Sequence, residues 1–191
     1  MNIAILIANE QHAAFAQDIC CLIEKAAKDR KTGIAKRNVA YITEKINAGK
    51  AVIAFVNGQL AGFCYIETWS HGRYVANSGL IVSPNFRKMG LAKKIKEKAF
   101  QLARDKYPDA KVFGITTSLA VMKINTSLGY QAVTFSELTQ DEAFWKGCQS
   151  CPNYDILVRN ERRMCLCTGM LAPSKNESKM KYDLGNYANN G

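Results

Sequence analysis

The chain has 191 residues, and its hydrophobic fraction of 48% and charged fraction of 22% are typical of a folded globular protein. Its formal net charge of +10 indicates an anionic partner: a nucleic acid, an anionic membrane or a phosphate-bearing small molecule. The apolar run from Ile3 to Ala8 lacks a basic lead-in and is far too short to span a bilayer, so we expect a buried strand and a cytoplasmic protein. Without an export signal, the seven cysteines are expected to be reduced thiols.

The first half of the chain predicts a strand, two helices and an antiparallel meander. Residues 2–8 form the strand, and apolar residues at helical spacing predict helices from Glu10 to about Lys31 and around Val39–Ile46. Two β-rich runs flank Asn57-Gly58, a pair that is typical of tight hairpins. The run "RYVANSGLIVSP" adds a third strand to the meander.

The second half predicts alternating helices and strands. The run "GLAKKIKEKAFQLARDKYP" predicts an amphipathic helix, "KVFGITTS" a strand, "LAVMKINTSLGY" a short helix closing at Gly129, and "QAVTFSEL" another strand. A helical turn at "DEAFWKGC" precedes a cysteine-rich strand pair, "YDILV" and "MCLCTGML", within about 148–172. The polar segment 173–191 predicts a disordered tail. This order predicts one α+β (mixed α/β) domain over residues 1–172.

Much of the positive charge lies in one loop and the helix that follows it. The segment from Arg87 to Lys106 contains eight basic residues and only two acidic ones. Lys93 and Lys94 lie in the first turn of the helix, where they oppose the helix dipole. An anion that docks on the backbone N–H groups there would remove the conflict, and Gly90 permits its close approach. The segment therefore predicts a site for a pyrophosphate or similar anion; the alternative is a solvated, lysine-rich surface helix.

Two motifs carry a resemblance to a known family. The run "VSPNFRKMGLA" resembles the acyl-CoA-binding signature of the GCN5-related N-acetyltransferases, the GNAT family, and "INTSLGYQAV" is similar to their second conserved segment. The resemblance covers about residues 40–140. It implies a central, mostly antiparallel sheet with helices on both faces and one splayed pair of parallel strands that holds acetyl-CoA or another acyl-CoA as co-substrate.

The resemblance also implies which groups hold the cofactor. Main-chain groups of one strand would pair with the pantetheine arm, and these are those of Leu80, Ile81 and Val82. Backbone N–H groups of the following loop would hold the pyrophosphate, and these are those of Arg87, Lys88, Met89, Gly90, Leu91 and Ala92. Transfer in this family is usually direct, with a neutral amine attacking the thioester carbonyl.

Two positions depart from the family pattern. Members often carry a tyrosine, the acid for the departing thiolate, where this chain has Asn125; asparagine cannot act as an acid, but it can hydrogen-bond the cofactor sulfur or the amide. A thiol with a pKa near ~8.5 can leave without full protonation. Many members carry a glutamate on the strand before the signature, where this chain offers only Asn77 and Ser78. The candidate bases are therefore Glu67, the nearest carboxylate in sequence, and a water held by Asn77.

A weaker resemblance concerns the acceptor. The runs "FWKGCQSCPNYDIL" and "CLCTGML" are similar to a small bacterial group linked to arginine biosynthesis that acylates the α-amine of glutamate. It implies a small amino acid as acceptor, in amino-acid biosynthesis. An anionic acceptor needs cations, and Arg73, Arg37 and Lys36 lie in segments that could border its site. Trp69 and Tyr74 are candidate walls; of these five residues we take Arg73 and Trp69 as the substrate-binding candidates.

Four cysteines near the C-terminus raise the question of a metal. Cys148 and Cys151 have the spacing of zinc ligands, and Cys165 and Cys167 follow. Residues i and i+2 of a regular strand lie ~6.6 Å apart, whereas two sulfurs bound to one zinc lie only ~3.8 Å apart. We therefore favour buried, inert thiols and assign no metal, although the spacing leaves a structural zinc open.

Three other functions stay open beside the amino-acid acyltransferase. They are a peptide or protein lysine acetyltransferase, a CoA-binding sensor without activity, and a basic, cysteine-rich protein that binds nucleic acid. Nucleic acid is the less expected partner, because the aromatic residues do not alternate with the lysines as a base-stacking surface requires. A membrane is not expected as a partner, and a homodimer is left open.

Overall fold

The computed structural model describes residues 1–30 and 37–178. Its centre is a seven-stranded sheet with the strand order β1-β2-β3-β4-β5-β7-β6. Neighbouring strands are antiparallel except for the parallel pair of β4 and β5, which confirms the predicted α+β fold. The strands are β1 Ile3–Ile7, β2 Ala51–Val56, β3 Gln59–Trp69, β4 Tyr74–Val82, β5 Lys111–Thr116, β6 Gln131–Val133 and β7 Thr168–Ala172.

The sheet is covered by helices on both faces, as predicted. Successive residues of β2 point to opposite faces, so that Val52 packs in the core with α3 and Ile53 packs in the core with α1 and α2. Among the described residues, no helix is both long enough and apolar enough to cross a bilayer. The α-helices are α1 Ala16–Arg30, α2 Val39–Asn47, α3 Leu91–Lys106, α4 Leu119–Ser127, α5 Glu142–Lys146 and α6 Tyr154–Arg159.

The hairpin between β2 and β3 is confirmed at the predicted pair. Asn57 and Gly58 have φ angles of +48° and +78°, the left-handed conformation that a tight two-residue hairpin requires at both central positions. On β3, Gly62 lets α3 approach the sheet closely, because a Cβ there would lie only 2.5 Å from Cδ1 of Ile95. Helix α3 is thus held at a fixed position over β3 and β4.

The two parallel strands separate after a short paired region. They pair only where Tyr74–Ala76 meets Lys111–Phe113. Strand β4 continues beside β3 to Val82, and β5 continues beside β7 to Thr116. A bulge in β4 contains Gly79 at φ +68°, and a Cβ at Gly79 would lie 2.5 Å from Cε1 of Tyr65. This separation opens a cleft in the middle of the sheet.

The predicted C-terminal strand pair is wrong. The "YDILV" segment forms helix α6, and only Thr168–Ala172 of "MCLCTGML" is a strand, which lies between β5 and β6. The N–H groups of Tyr154 and Leu157 donate to the carbonyls of Cys151 (3.0 Å) and Asn153 (3.4 Å), so that a turn at the cysteines starts the helix. A five-residue apolar run has too little periodicity to distinguish a strand from a helix that buries one side. Strand β6 is also shorter than the predicted "QAVTFSEL" and covers only Gln131–Val133.

The predicted disorder of the tail is wrong for its first residues. Ser174 is only 2% exposed, and its N–H donates to Oε2 of Glu177 at 2.8 Å. Lys175 contacts Asp105 of α3 at 2.6 Å, and Asn176 donates to Asp109 at 2.6 Å. Residues 173–178 therefore pack on the domain. Residues 179–191, the predicted end of the first helix at Lys31, and Lys36 lie outside the described residues.

Candidate active site

A cavity of about 760 Å³ occupies the gap between the separated ends of β4 and β5. One wall is formed by residues 77–80 of β4 and the other by residues 114–116 of β5. Helix α4 contributes Val121 and Asn125, and the 143–167 segment forms the far side. The cavity is therefore bordered by the strand, the helix and the cysteine-rich segment in which the sequence predicted functional residues.

Two of the three predicted catalytic residues line this cavity at buried positions, which we call its floor. Asn77 is 6% exposed and its Oδ1 accepts a bond from Sγ of Cys64 at 2.8 Å. Asn125 is 1% exposed and its Nδ2 contacts Sδ of Met170 at 3.4 Å. Oδ1 of Asn125 has no hydrogen-bond partner among the described residues, and Nδ2 of Asn77 has only the Tyr130 hydroxyl nearby, without a well-formed bond. Buried polar atoms are nearly always paired, so these two are positioned to bind a ligand or a water.

The third predicted catalytic residue, Glu67 of β3, also lines the cavity but has close partners. Tyr41 donates its hydroxyl to Oε2 of Glu67 at 3.0 Å, Lys45 forms an ion pair with the same oxygen, and Lys50 lies 3.9 Å from Oε1. Burial opposes the charge on Lys45, yet its bonds to Glu44 and Glu67 raise its pKa. Burial and the neighbouring Glu67 raise the pKa of Tyr41, which therefore stays a neutral donor. A role for Glu67 as base stays a prediction.

The basic loop before α3 has the backbone geometry of an anion site. Lys88 and Gly90 have φ angles of +65° and +72°, and α3 begins without an acidic residue in its first turn. Among the described residues, the N–H groups from Lys88 to Ala92 donate to no other protein group. Such a series of free N–H groups at a helix N-terminus is what binds phosphates in many proteins.

The side chains of the same loop divide between anchoring and solvent. Leu91 is 1% exposed and packs in the core, with Met89 partly buried beside it. Arg87 and Lys88 are exposed, and so are Lys93 and Lys94 of α3. The apolar residues thus fix the loop, while its cations lie at the surface, where Lys93 contacts Glu97 at 3.8 Å.

The edge of β4 that faces the cleft is available over the predicted pantetheine segment. Ile81 and Val82 pair with Phe63 and Gly62 of β3 on the opposite edge. Leu80 lines the cavity, whereas Ile81 is 3% exposed and packs in the core below α1 and α2. Beyond Ala76, β4 has no strand partner on its β5 side among the described residues.

The predicted substrate-binding residues are only partly brought to the cavity. Trp69 lines it, packs against Phe144 with ring centroids 5.5 Å apart, and has a buried Nε1 with no partner among the described residues. Arg37 lines the cavity too, with its Nε donating to the hydroxyl of Tyr65 at 2.5 Å. Arg73 is exposed, donates to the Ser70 carbonyl at 3.3 Å, and does not line the cavity.

The structure does not bring Arg73 to the cavity, since it lies in the β3–β4 turn at the end of the strands away from the opening. Tyr74 likewise packs on Phe113 and is not a wall of the cavity. In their place, Tyr41 and Lys96, which the sequence reasoning did not select, line the cavity. Tyr41 lies on α2, and its contact with Glu67 could not be read from local spacing.

All four C-terminal cysteines lie on the wall of the same cavity. Burial raises the pKa of Cys148 to about 11 and that of Cys167 to about 12. The N–H of Asn153 donates to Sγ of Cys151 at 3.4 Å. Over residues 1–30 and 37–178, no group of three or more His, Cys, Asp or Glu side chains is arranged to hold a metal ion. Cys148 and Cys167 are therefore protonated thiols, and the four cysteines together form one wall of the cavity.

Comparison with known proteins agrees with this geometry. The model of the acetyltransferase (GNAT) family matches residues 22–123, more than half of the chain. A thialysine N-epsilon-acetyltransferase of Caenorhabditis elegans is 28% identical over 150 residues, which are 75% of this chain and 89% of that protein.

Two solved structures have a similar fold. An N-acetylglutamate synthase from Neisseria gonorrhoeae, complexed with coenzyme A and N-acetyl-glutamate, has a TM-score of 0.65 at 18% identity and is matched by 91% of this chain. This chain spans only 35% of that synthase chain. The protein YncA of Salmonella typhimurium, solved with acetyl-CoA, has a TM-score of 0.61 at 15% identity, with 91% of this chain and 94% of that chain covered. The chain belongs to the GNAT family and is an acyl-CoA-dependent N-acetyltransferase.

Proposed function

We propose that this protein moves an acetyl group from acetyl-CoA directly to the α-amine of a small, anionic amino acid, with glutamate as the leading acceptor. The observation that carries the proposal is a guanidinium, that of Arg37, on the wall of the cavity where β4 and β5 separate. An acceptor of this kind would place the enzyme in amino-acid biosynthesis.

The cofactor would occupy the end of the cleft next to α3. The free N–H groups from Lys88 to Ala92 would hold the pyrophosphate, with Arg87 and Lys88 as exposed cations nearby. The pantetheine arm would run along Leu80–Val82, where β4 lacks a partner on the β5 side among the described residues. This arrangement directs the thioester toward Asn77 and Asn125 at the floor of the cavity.

The two asparagines would then bind the reacting groups. Nδ2 of Asn77 is a donor that the thioester carbonyl needs when negative charge develops on its oxygen. Oδ1 of Asn125 is an acceptor for the attacking amine or for the thiol product. Holding amine and thioester together in one enclosed cavity supplies much of the acceleration.

The acceptor would bind at the opposite end of the cavity, near α2. The Arg37 guanidinium lies 5.9 Å and 5.7 Å from the ring centroids of Tyr41 and Tyr65, which limits its motion. A carboxylate suits a guanidinium because two parallel hydrogen bonds form between them. The buried Nε1 of Trp69 offers a further donor on the same wall. The synthase of similar fold that was solved with N-acetyl-glutamate supports this choice of acceptor.

A second acceptor class is a lysine-like amine. It is favoured by the thialysine acetyltransferase relative. The two classes differ in the sign of the side-chain charge that they need, so a panel of amines distinguishes them.

The test is a thiol-release assay with acetyl-CoA over glutamate, ornithine, lysine, thialysine, a polyamine and a lysine peptide. Glutamate is expected to give the highest kcat/KM. A preference for lysine or thialysine would assign the second class, and a peptide preference would make the protein a peptide acetyltransferase. Thermal stabilisation by CoA, with no thiol release in the presence of any amine, would instead indicate a CoA-binding sensor without activity.

A matched pair of arginine variants tests the acceptor site itself. Arg37→Gln is expected to raise the KM for glutamate about 10- to 100-fold, because a hydrogen bond to a charged group contributes ~1.5–3 kcal/mol, while leaving CoA binding unchanged. Arg73→Gln changes an exposed arginine outside the cavity and should keep the wild-type KM. Equal effects of the two variants, or none, would contradict the placement of the acceptor carboxylate.

A further inference from the structure

Among the described residues, two lysines are buried, and their surroundings differ. Lys45 is 3% exposed and forms ion pairs with Glu44 and Glu67. Lys96 of α3 is 2% exposed, and no described carboxylate or other hydrogen-bonding group contacts its Nζ. Its neighbours are the Tyr130 ring, 5.6 Å from Nζ to the centroid, and the thiol of Cys64.

An unpaired lysine in such a place is costly to keep charged. Moving an ammonium group out of water without a partner disfavours its charged form by several kcal/mol. Burial accordingly lowers the pKa of Lys96 and outweighs the opposing effect of Cys64. A methionine would fill the same volume without this cost, so a lysine at this buried position indicates a chemical role.

The location of Lys96 on the cavity wall indicates what that chemical role is. Lys96 lines the cavity together with Asn77, Gly114 and Asn125. A Cβ on Gly114 would lie 3.9 Å from Nζ of Lys96 and 3.4 Å from the carbonyl oxygen of Asn77, so the glycine leaves the space beside Nζ open. This is the point at which β4 and β5 part. The buried hydroxyl of Tyr130 lies next to the side chain of Asn77.

We propose that Nζ of Lys96 is a catalytic proton carrier, which takes a proton from the attacking amine and delivers it to the departing sulfur. The acceptor nitrogen bonds to the carbonyl carbon, and neutral Nζ removes one proton from that nitrogen. The C–S bond then breaks with its electron pair on sulfur, and the Nζ ammonium returns the proton to give the free thiol. Lys96 ends neutral, so the step balances and needs no further reactant. The inference rests on acetyl transfer to an amine, and not on which amine is used.

Other groups near Nζ are unsuited to the task. Burial raises the pKa of Cys64 to about 11 and also raises that of Tyr130. On α3 itself, the guanidinium of Arg104 lies over the Phe100 ring, 5.2 Å from its centroid. Glu67, the described carboxylate on the cavity wall, is held by Tyr41 and Lys45. Among these groups, Lys96 is the one on the cavity lining whose pKa is lowered by burial, so it gives up its proton more readily than an ordinary lysine does.

The test compares Lys96→Met with Lys98→Met on the same helix. Lys96→Met is expected to lower kcat at least 100-fold, in line with the loss of a general acid–base group, while the stabilisation by CoA stays as in the wild type. It should also raise the melting temperature, because it removes an unpaired buried amine. Lys98→Met, at a half-buried position outside the cavity, should keep wild-type kcat.

The pH profile separates proton transfer from a packing role. Wild-type kcat should fall as pH decreases through the pKa of Lys96, at the same pH for two acceptors whose amines differ in pKa, and Lys96→Met should lack this decline. A Lys96→Met protein with kcat within about threefold of wild type, or with the acid decline unchanged, would overturn the proposal. So would loss of activity that is accompanied by loss of CoA binding or by a lower melting temperature. If CoA does not stabilise the wild-type protein, the proposed cofactor site itself is wrong.

Discussion

At the α3 end of the cleft the available binding groups are backbone N–H groups, whereas at the α2 end they are side chains. The loop at Lys88–Ala92 presents free N–H groups whose direction follows from two positive φ angles and a helix start. The opposite end presents Arg37, Tyr41 and Trp69, which come from different elements. In the arrangement that we propose, the backbone holds a constant cofactor, and side chains that can change without altering the fold select the acceptor.

The largest expected effect comes from placing a carboxylate in the backbone cradle. Gly90→Asp should weaken CoA binding at least 100-fold, because it sets a negative charge against the pyrophosphate and disturbs the N–H groups. Titration calorimetry measures the affinity.

Gly58→Asp is the matched control, because Gly58 also has a positive φ, +78°, and open space around its Cβ position, but lies in the β2–β3 hairpin. It carries the same backbone strain and should bind CoA as the wild type does. Equal loss in both variants would mean that strain, and not charge in the cradle, causes the effect.

A smaller effect is expected from a substitution in the β4 bulge, which lies between the two ends of the cleft. Gly79→Ala should lower stability by about 2 kcal/mol, because it combines a left-handed φ with a Cβ that collides with the Tyr65 ring. For a chain of this size that corresponds to a drop of about 4–8 °C in melting temperature.

Displacing Tyr65 also removes a partner of Arg37, so the Gly79→Ala variant should raise the acceptor KM more than the KM for acetyl-CoA. Gly72→Ala has a similar φ of +81° and open space, and it should show only the strain. If Gly79→Ala lowered stability no more than Gly72→Ala does, that result would contradict the tight contact between position 79 and Tyr65.

The cysteine wall at the acceptor end should be chemically quiet. With pKa values of about 11 and 12, Cys148 and Cys167 hold very little thiolate at neutral pH, so alkylation by iodoacetamide should be slow. The exposed Cys21 is expected to react first. Mass spectrometry over time gives the order in which the cysteines are alkylated. Early modification of Cys148 would contradict the raised pKa of its thiol.

The smallest effect concerns the docked residues 173–178, away from both ends. The N–H of Ser174 and the nearby Lys111 lower the pKa of Glu177. Stability from this contact is therefore present above the ordinary pKa of a glutamate and is lost as pH falls through the lowered value. Hydrogen exchange of residues 174–178 should be faster in acid than at neutral pH, and faster in Glu177→Gln than in the wild type. The free energy of local opening should decrease by less than about 1 kcal/mol. Identical exchange in both proteins would contradict the role of this carboxylate.

The loop that we propose for the cofactor could be located from the sequence because its signal is local. A strand, a proline, a basic loop, Gly90 and an amphipathic helix follow one another directly, and the fold preserves that order. The acceptor end could not, because its contacts join distant parts of the chain, such as Arg37 to Tyr65. Arg73 was chosen for its charge, yet the short paired region of β4 and β5 leaves it at the wrong end of the strands.

Lys96 was missed although a signal exists. Ala99, Phe100 and Ala103 lie three, four and seven positions after it, so a lysine occupies the buried side of an amphipathic helix. The cysteine wall depends on β7 lying between β5 and β6 and on a helix at 154–159, and neither follows from the spacing of the cysteines.

A crystal structure with acetyl-CoA tests the division between the two ends most directly. The predicted result is a pyrophosphate on the N–H groups of Lys88–Ala92, a pantetheine arm along Leu80–Val82, and a thioester between Asn77 and Asn125 with Nζ of Lys96 within hydrogen-bonding reach of its sulfur. A cofactor bound with its phosphates away from this loop, or with its thioester remote from the cavity floor, would contradict it.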